Sequence, residues 1–198
     1  MHKDTLPGPN NRMKFTFLFL LIPPVTAWLA LREPAPEMVE PVPAIVAAAE
    51  RGDLPRIDQL LSQQAEVNSR DFCRWTPLMK AALNGHEPVV ERLLQEKARL
   101  DLFDKGHYTA MMLAASNNHA GIVRLLAEQG ADLDAVERTE GFTALVWAAR
   151  QGHLETVQVL LEQGASPQVA DLKGKTAIQW AVARGHHEVA ALLLSAMK

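Results

Sequence analysis

The feature that most constrains the fold is a sequence motif that occurs four times at almost constant spacing. One copy reads RWTPLMKAALNGH, and the other three span residues 108–119, 142–153 and 175–186. The threonines of the four copies are Thr76, Thr109, Thr143 and Thr176, at intervals of 33, 34 and 33 residues. A fixed period of this length predicts that a short structural unit stacks on copies of itself.

Each period contains the patterns of two short helices. Thr76 is placed to cap the first helix, Pro77 occupies its first turn, and Gly85 ends it in a left-handed conformation. The second helix reads EPVVERLLQEK, and its apolar residues recur on one face. Helices this short are marginally stable alone. The pattern therefore predicts that each helix pair is stabilised by stacking on the next pair.

The motif resembles the ankyrin repeat. Thr-Pro-Leu, Ala-Ala, Gly-His and Leu-Leu recur in the same order, and the sequences EQGADLDA and EQGASPQVA recur at equivalent places. The resemblance covers residues 44–198 and implies an all-α, ankyrin-type helical solenoid of five helix-turn-helix repeats with short β-hairpin-like connecting loops. The first repeat has Pro43 in place of the threonine. The expected repeats span about residues 44–72, 73–105, 106–140, 141–173 and 174–198.

Two departures from the family pattern lie near the start of the repeats. An additional residue between Asp134 and Thr143 predicts that the third connecting hairpin bulges. The family usually has a histidine after Thr-Pro-Leu, and we expect the hydrogen bond of that histidine to be missing here. The residues at that position are Met79, Met112, Val146 and Gln179.

A third departure lies after the second helix. The family has glycine there, as at Gly130 and Gly164, but the first two repeats have Gln64 and Lys97. We therefore expect Lys97 to adopt a left-handed backbone conformation, which costs on the order of 1 kcal/mol for a residue other than glycine.

The N-terminal region differs in composition from the repeats. Arg12 and Lys14 precede an uncharged apolar run of 17 residues, 15–31, which predicts a signal peptide or an N-terminal membrane anchor within residues 1–31. Residues 32–43 form a Pro/Glu-rich linker, and residues 44–198 form the repeat domain. Cleavage after Val25-Thr26-Ala27 and translation from Met13 both remain open.

If the N-terminal segment directs export, the repeats are located outside the cytoplasmic membrane. Cleavage would leave a periplasmic or exported protein, whereas an uncleaved segment would anchor it in the inner membrane through residues 15–31, with the repeats outside. Export combined with five repeats is typical of a small exported bacterial protein of this family. The competing hypothesis is a cytosolic protein in which the apolar run packs against the array.

Composition and motifs exclude several functional classes. The formal net charge of −3 gives no general attraction to nucleic acid, so no nucleic-acid partner is expected. No catalytic motif is present, Cys73 is a lone thiol, and we expect neither an enzyme nor a cofactor. Four of the seven histidines occupy one repeat position, which favours a structural role over a metal site.

The residue types in the hairpins and at the ends of the first helices favour a protein-binding surface. Trp75, Tyr108 and Phe142 precede three of the threonines and would form a row of rings, either facing a partner or shielding their own hairpins. We expect a concave groove with an aromatic centre and a basic C-terminal part, which suits an acidic, apolar partner protein. The predicted partner-binding residues are Phe72, Arg74, Trp75, Leu83, Asn84, Phe103, Lys105, Tyr108, Ser116, Asn117, Arg138, Phe142, Arg150, Gln151, Lys173, Lys175 and Arg184.

The sequence therefore predicts a non-enzymatic protein–protein interaction module that acts outside the cytoplasmic membrane. Two specific roles fit it equally well. One is an immunity or inhibitor protein that neutralises a toxin or a periplasmic enzyme. The other is an accessory protein that supports a periplasmic oxidative-stress enzyme. Membrane contact is expected only through the N-terminal segment if that segment is not cleaved.

Overall fold

The structure, a computed structural model, describes residues 42–197. Within that range the chain forms ten α-helices and no strand, which confirms the predicted helical solenoid. The predicted signal or anchor segment, residues 1–31, and most of the predicted linker lie outside the described residues. The first helices of the five repeats are α1 (Ala44–Arg51), α3 (Pro77–Asn84), α5 (Ala110–Ser116), α7 (Ala144–Gln151) and α9 (Ala177–Arg184). The second helices are α2 (Leu54–Ser62), α4 (Glu87–Gln95), α6 (Ala120–Glu128), α8 (Leu154–Glu162) and α10 (His187–Ala196).

Threonine caps begin the first helices, as predicted. The hydroxyl oxygens of Thr76, Thr109 and Thr143 each accept a hydrogen bond from the backbone N–H three residues later, at 3.2–3.3 Å. In the fifth repeat, Gln179 at the position of the family's histidine forms a capping hydrogen bond: its side-chain oxygen accepts from the backbone N–H of Thr176 at 2.9 Å.

Glycines end four of the first helices with positive φ angles, as predicted, and Asn118 takes a similar conformation in the third repeat. In three repeats the histidine of the following repeat covers this glycine. A Cβ added to Gly52, Gly85 or Gly152 would lie 2.5–2.6 Å from that imidazole ring, so no larger residue fits without moving it. Gly185, in the last repeat, has no such neighbour within 4 Å.

The repeated histidines connect neighbouring repeats. The Nε2 atom of each histidine lies 3.1–3.2 Å from a backbone carbonyl oxygen of the preceding repeat, which explains the regular recurrence of this residue. The pairs are His86 with Glu50, His119 with Leu83, His153 with Ser116, and His186 with Arg150.

Lys97, which follows the second helix of its repeat, has the left-handed backbone conformation that the sequence predicts. Its φ angle is 59°, and that of Gln64 is 63°, whereas Gly130 and Gly164 occupy the equivalent positions at 84° and 95°. Two repeats therefore place a residue with a side chain in the left-handed region that favours glycine.

The core is formed by the alanine pairs of the first helices and the leucines of the second. Ala81 and Ala82 are fully buried, as are Val90 and Leu93 of α4. Small residues allow the first helices to approach each other more closely than the second helices do, so the first helices form the concave side of the array. No helix within residues 42–197 is both long and apolar enough to cross a membrane.

Hairpin-like loops connect the repeats, as predicted. In the first hairpin the backbone N–H of Asp71 donates to the Trp75 carbonyl oxygen at 3.1 Å. Adjacent hairpins are also joined to each other by backbone hydrogen bonds, so the loops form a continuous row. The bonds run from Lys105 to Cys73, from Arg138 to Gly106 and from Leu172 to Glu140.

Candidate functional site

The array has two surfaces of opposite charge. The inner surface consists of the hairpins and first helices (residues 42–52, 69–85, 102–118, 135–152 and 169–185), and the outer surface of the second helices and the segments after them (residues 53–68, 86–101, 119–134, 153–168 and 186–197). The inner surface contains ten Lys and Arg residues against six Asp and Glu, and the outer surface five against thirteen. The small net charge of the chain therefore conceals a cationic inner surface.

Four carboxylates of the inner surface bind backbone amides. The Asp71 carboxylate accepts a hydrogen bond from the backbone N–H of Trp75 at 2.9 Å, and Asp104 accepts from Tyr108 at 2.9 Å. Asp171 accepts from Lys173 and Lys175 at 2.8 Å. The fourth is Glu137 of the third hairpin. These carboxylates hold the hairpins in shape.

Glu137 explains how the predicted additional residue is accommodated. Phe142 follows it by five residues rather than the four that separate Asp104 from Tyr108, and the longer side chain spans the enlarged turn. Its carboxylate accepts hydrogen bonds from the backbone N–H groups of Thr139, Glu140 and Phe142, and from the Thr139 hydroxyl. Burial raises the pKa of Glu137, but these hydrogen bonds together outweigh it and lower the pKa.

The cations of the two surfaces differ in their partners. On the outer surface Arg92 pairs with Asp58 and Glu96, at 2.7 Å each, and Arg99 and Arg124 also have carboxylate partners. On the inner surface only Lys80 and Lys173 form ion pairs with described residues. The other eight inner cations form no ion pair within residues 42–197, because the carboxylates near them bind backbone amides.

An aromatic cluster occupies the C-terminal half of the inner surface. The Phe142 ring makes edge contacts with Trp147, at 5.1 Å between centroids, and with Trp180, at 5.4 Å. The Arg150 guanidinium carbon lies 5.4–5.6 Å from the centroids of all three rings. Tyr108 extends the cluster, 6.1 Å from Trp147.

The prediction that Phe142 faces a partner is wrong. Its side chain is 2% exposed, because Trp147, Trp180 and Arg150 cover it. Trp75 and Tyr108, at the equivalent positions, are half-buried and remain accessible. The expected row of three exposed rings is therefore a row of two, followed by a ring that supports the tryptophans.

Cation–aromatic pairs also occupy the tips of the first two hairpins. The Lys105 ammonium lies 3.6 Å from the Phe72 ring centroid, and the Arg74 guanidinium carbon lies 5.3 Å from that of Phe103. The His107 ring stacks on Phe103 at 3.8 Å. Burial, together with the charges of Arg138 and Arg74, lowers the pKa of His107. These contacts order the tips and keep their cations at the surface.

All the predicted partner-binding residues lie on the inner surface, and all but one remain accessible. Leu83, Trp75, Phe103, Tyr108, Ser116 and Arg150 are half-buried. Phe72, Arg74, Asn84, Lys105, Asn117, Arg138, Gln151, Lys173, Lys175 and Arg184 are exposed.

The sequence prediction missed Trp147, Trp180 and Lys80, which lie four residues after their threonines. This position contains Ala47 and Leu113 in the other two repeats, so the pattern has no uniform chemistry there. The variability of this position, together with its two tryptophans in consecutive repeats, could have identified it as part of the binding surface.

The residues that the structure describes include no group of three or more acidic, histidine or cysteine side chains that could hold a metal ion. Cys73 is exposed on the first hairpin. The repeated histidines contact backbone carbonyls of separate repeats and do not converge. The inner surface therefore offers charge, aromatic rings and shape to a ligand.

Comparison with known proteins agrees with this architecture. The family model for ankyrin repeats (3 copies) matches residues 45–137 and 130–198. The chain therefore belongs to the ankyrin-repeat family, and its repeat domain is a protein–protein interaction module. Members of this family are generally non-enzymatic. No curated protein matches the chain.

Proposed function

We propose that this protein binds a partner protein through its inner surface, outside the cytoplasmic membrane, and has no catalytic activity of its own. The observation that carries the proposal is the separation of charge. Eight inner cations lack an ion pair within the described residues, and four of them lie over aromatic rings: Arg74, Lys105, Arg150 and Lys175. A partner with acidic and apolar side chains would complement both features.

The inner surface suits a protein better than a nucleic acid. Its rings and cations are interleaved along one side of the array, whereas the outer surface has a marked excess of carboxylates. A long polyanion would be repelled by that acidic surface. Aromatic side chains instead favour the burial of a compact protein surface, to which they contribute a large contact area at small entropic cost.

The test is copurification from native envelopes with the full-length tagged chain. We expect Trp75→Ala and Tyr108→Ala to reduce the recovered partner, because both rings are accessible on the inner surface. Arg124→Ala, on the outer surface, is the control and should leave recovery unchanged. Equal recovery with all three variants, each shown to be folded by circular dichroism, would contradict binding through the inner surface.

The proposed location rests on the sequence of the N-terminal segment alone. A reporter enzyme that is active only outside the cytoplasm, fused after residue 43, should be active. An inactive but expressed fusion would support the cytosolic alternative. A metal-content measurement and a hydrolase screen of the full chain address catalysis, and turnover that survives purification would contradict a purely binding role.

Two versions of the proposed function remain alternatives. As an immunity or inhibitor protein, the chain would suppress the activity of its partner. As an accessory protein, it would raise the activity or lifetime of a periplasmic oxidative-stress enzyme. Measuring the activity of the copurified partner with and without the chain separates the two, because the expected changes have opposite signs.

A further inference from the structure

We propose that Arg150 is a carboxylate-binding site, which takes an Asp or Glu side chain of the partner while Trp147 and Trp180 contact the apolar residue beside it. This inference rests on the proposed function and deepens it, because it assigns one anchor within the inner surface. The occupant is an acidic, apolar segment of a protein.

The position of the Arg150 side chain is the first step. Its guanidinium carbon lies over the rings of Phe142, Trp147 and Trp180. The guanidinium group is planar, and its edge presents paired N–H donors. The planar edge is the part of arginine that matches a carboxylate with two parallel hydrogen bonds.

The hydrogen-bonding state of Arg150 is the second step. Its Nε atom is buried without a hydrogen-bond partner, and its side chain forms no hydrogen bond or ion pair with a described residue. The side chain is only half-buried, so the remaining donors reach the surface. The indole Nε1 of Trp147 is likewise buried without a partner. The Arg150 donors that reach the surface of this partly desolvated site favour a ligand that accepts hydrogen bonds.

The surroundings of Arg150 are the third step. Lys175 lies 4.8 Å from the Trp180 ring centroid and adds a second positive charge to the site. The nearby Asp171 forms no ion pair with either cation, and its single negative charge leaves them with a net positive charge; its carboxylate accepts hydrogen bonds from the backbone of Lys173 and Lys175 and from the Trp180 indole. The indole bond also fixes the Trp180 ring. The site is therefore positively charged and preorganised.

Lys80 is a cation next to an aromatic ring, like Arg150, but a carboxylate of the array neutralises it. It lies on α3, 4.7 Å from the Trp75 ring centroid, and it pairs with Glu50 at 2.8 Å. Its charge is balanced within the array. Arg150 has the same kind of aromatic neighbour but no such carboxylate among the described residues, so the acidic anchor of the partner belongs at the fourth repeat.

The experiment uses a library of random 12-residue peptides displayed on phage and selected on the immobilised full-length protein. We expect the selected peptides to contain Asp or Glu next to an aromatic or aliphatic residue. A synthetic copy of one such peptide is then compared with its Asn or Gln analogue by calorimetric titration. The neutral analogue should bind about tenfold more weakly to the unchanged protein.

Variants of the protein assign that difference to Arg150. With Arg150→Gln the acidic peptide and its neutral analogue should bind alike, and Arg150→Lys should restore only part of the discrimination because lysine lacks the planar pair of donors. Arg124→Gln, on the outer surface, is the control and should preserve the tenfold ratio. Circular dichroism and thermal melting establish that each variant is folded.

The outcomes separate this inference from the proposed function. If the peptides bind and lose affinity with Tyr108→Ala, but the acidic preference survives Arg150→Gln, the inner surface is a binding site and the assignment of Arg150 is wrong. Inorganic phosphate that displaces the peptide at equal concentration would also overturn it, by showing a general anion site. Peptides whose affinity is unchanged by every inner-surface variant would contradict both proposals.

Discussion

The inner and outer surfaces use the same charged residue types in opposite ways. On the outer surface, cations such as Arg92 are neutralised by carboxylates of their own or a neighbouring repeat. On the inner surface the carboxylates of Asp71, Asp104, Glu137 and Asp171 bind backbone amides instead. These four carboxylates form no ion pair within residues 42–197, so most inner cations have no direct carboxylate partner and are available to other molecules. The partners of each charge, more than the net charge of the chain, determine what a surface can bind.

The comparison predicts that the hairpin carboxylates are structural, whereas an outer carboxylate such as Glu128, whose side chain forms no hydrogen bond or ion pair within residues 42–197, is dispensable. Glu137→Ala should lower the free energy of unfolding by about 3 kcal/mol, because it leaves the buried backbone N–H of Phe142 and two partly buried N–H groups without acceptors. Glu128→Ala, an exposed outer residue, is the control and should change it by less than about 0.5 kcal/mol. Urea unfolding measures both, and equal effects would remove the distinction.

The same carboxylate should make stability depend on pH. The pKa of Glu137 is lowered in the folded protein, so its contribution is fully present above the unfolded value of about 4.3 and is lost as pH falls through the lower folded value. The difference in unfolding free energy between the unchanged protein and Glu137→Gln should therefore shrink as pH falls from 7 toward 3. A difference that stays constant over this range would show that the charge of Glu137 is unimportant.

Glycines give a second, smaller contrast between the surfaces. A Cβ at Gly152 would meet the His186 ring at 2.6 Å, whereas at Gly164, on the outer surface, it would meet nothing within 4 Å. Both have positive φ angles. Gly152→Ala should cost about 3 kcal/mol, from strain and displacement of the ring, and Gly164→Ala about 1 kcal/mol, from strain alone. Thermal melting of both variants tests this ranking.

The smallest expected effect is a gain in stability at Lys97. Because its φ angle is 59°, Lys97→Gly should relieve about 1 kcal/mol of strain and raise the melting temperature by a few degrees. Lys97→Ala removes the side chain but keeps the strain, so it should give no such gain. An unchanged or lower melting temperature for Lys97→Gly would contradict the strain at this position.

Local signals made much of the fold predictable. A threonine cap, a glycine end and an apolar stripe each depend on residues within one turn or helix, so they are readable in a single repeat. The left-handed conformation of Lys97 followed from its place in the period. The capping role of Gln179 was missed because the expectation concerned the histidine that the family has at this position.

The candidate site was less predictable because it depends on contacts between repeats. Phe142 is buried partly by Trp180, which is 38 residues further along the chain. Arg150 was expected on this surface, but its three aromatic contacts come from two repeats. The bulge of the third hairpin was expected. The presence of Glu137 where the other hairpins have aspartate was not explained in advance, because it depends on how far the side chain must reach across the enlarged turn.

The histidine contacts have a consequence for the order in which the array loses structure. Within residues 42–197 each histidine links a repeat to its predecessor, so a central repeat is held from both sides, whereas the fifth repeat has such a link to the fourth alone. Amide hydrogens of α10 should therefore exchange with solvent sooner than those of α6. Trp180 belongs to the fifth repeat, so a molecule bound beside it would slow that exchange and protect this repeat from proteases.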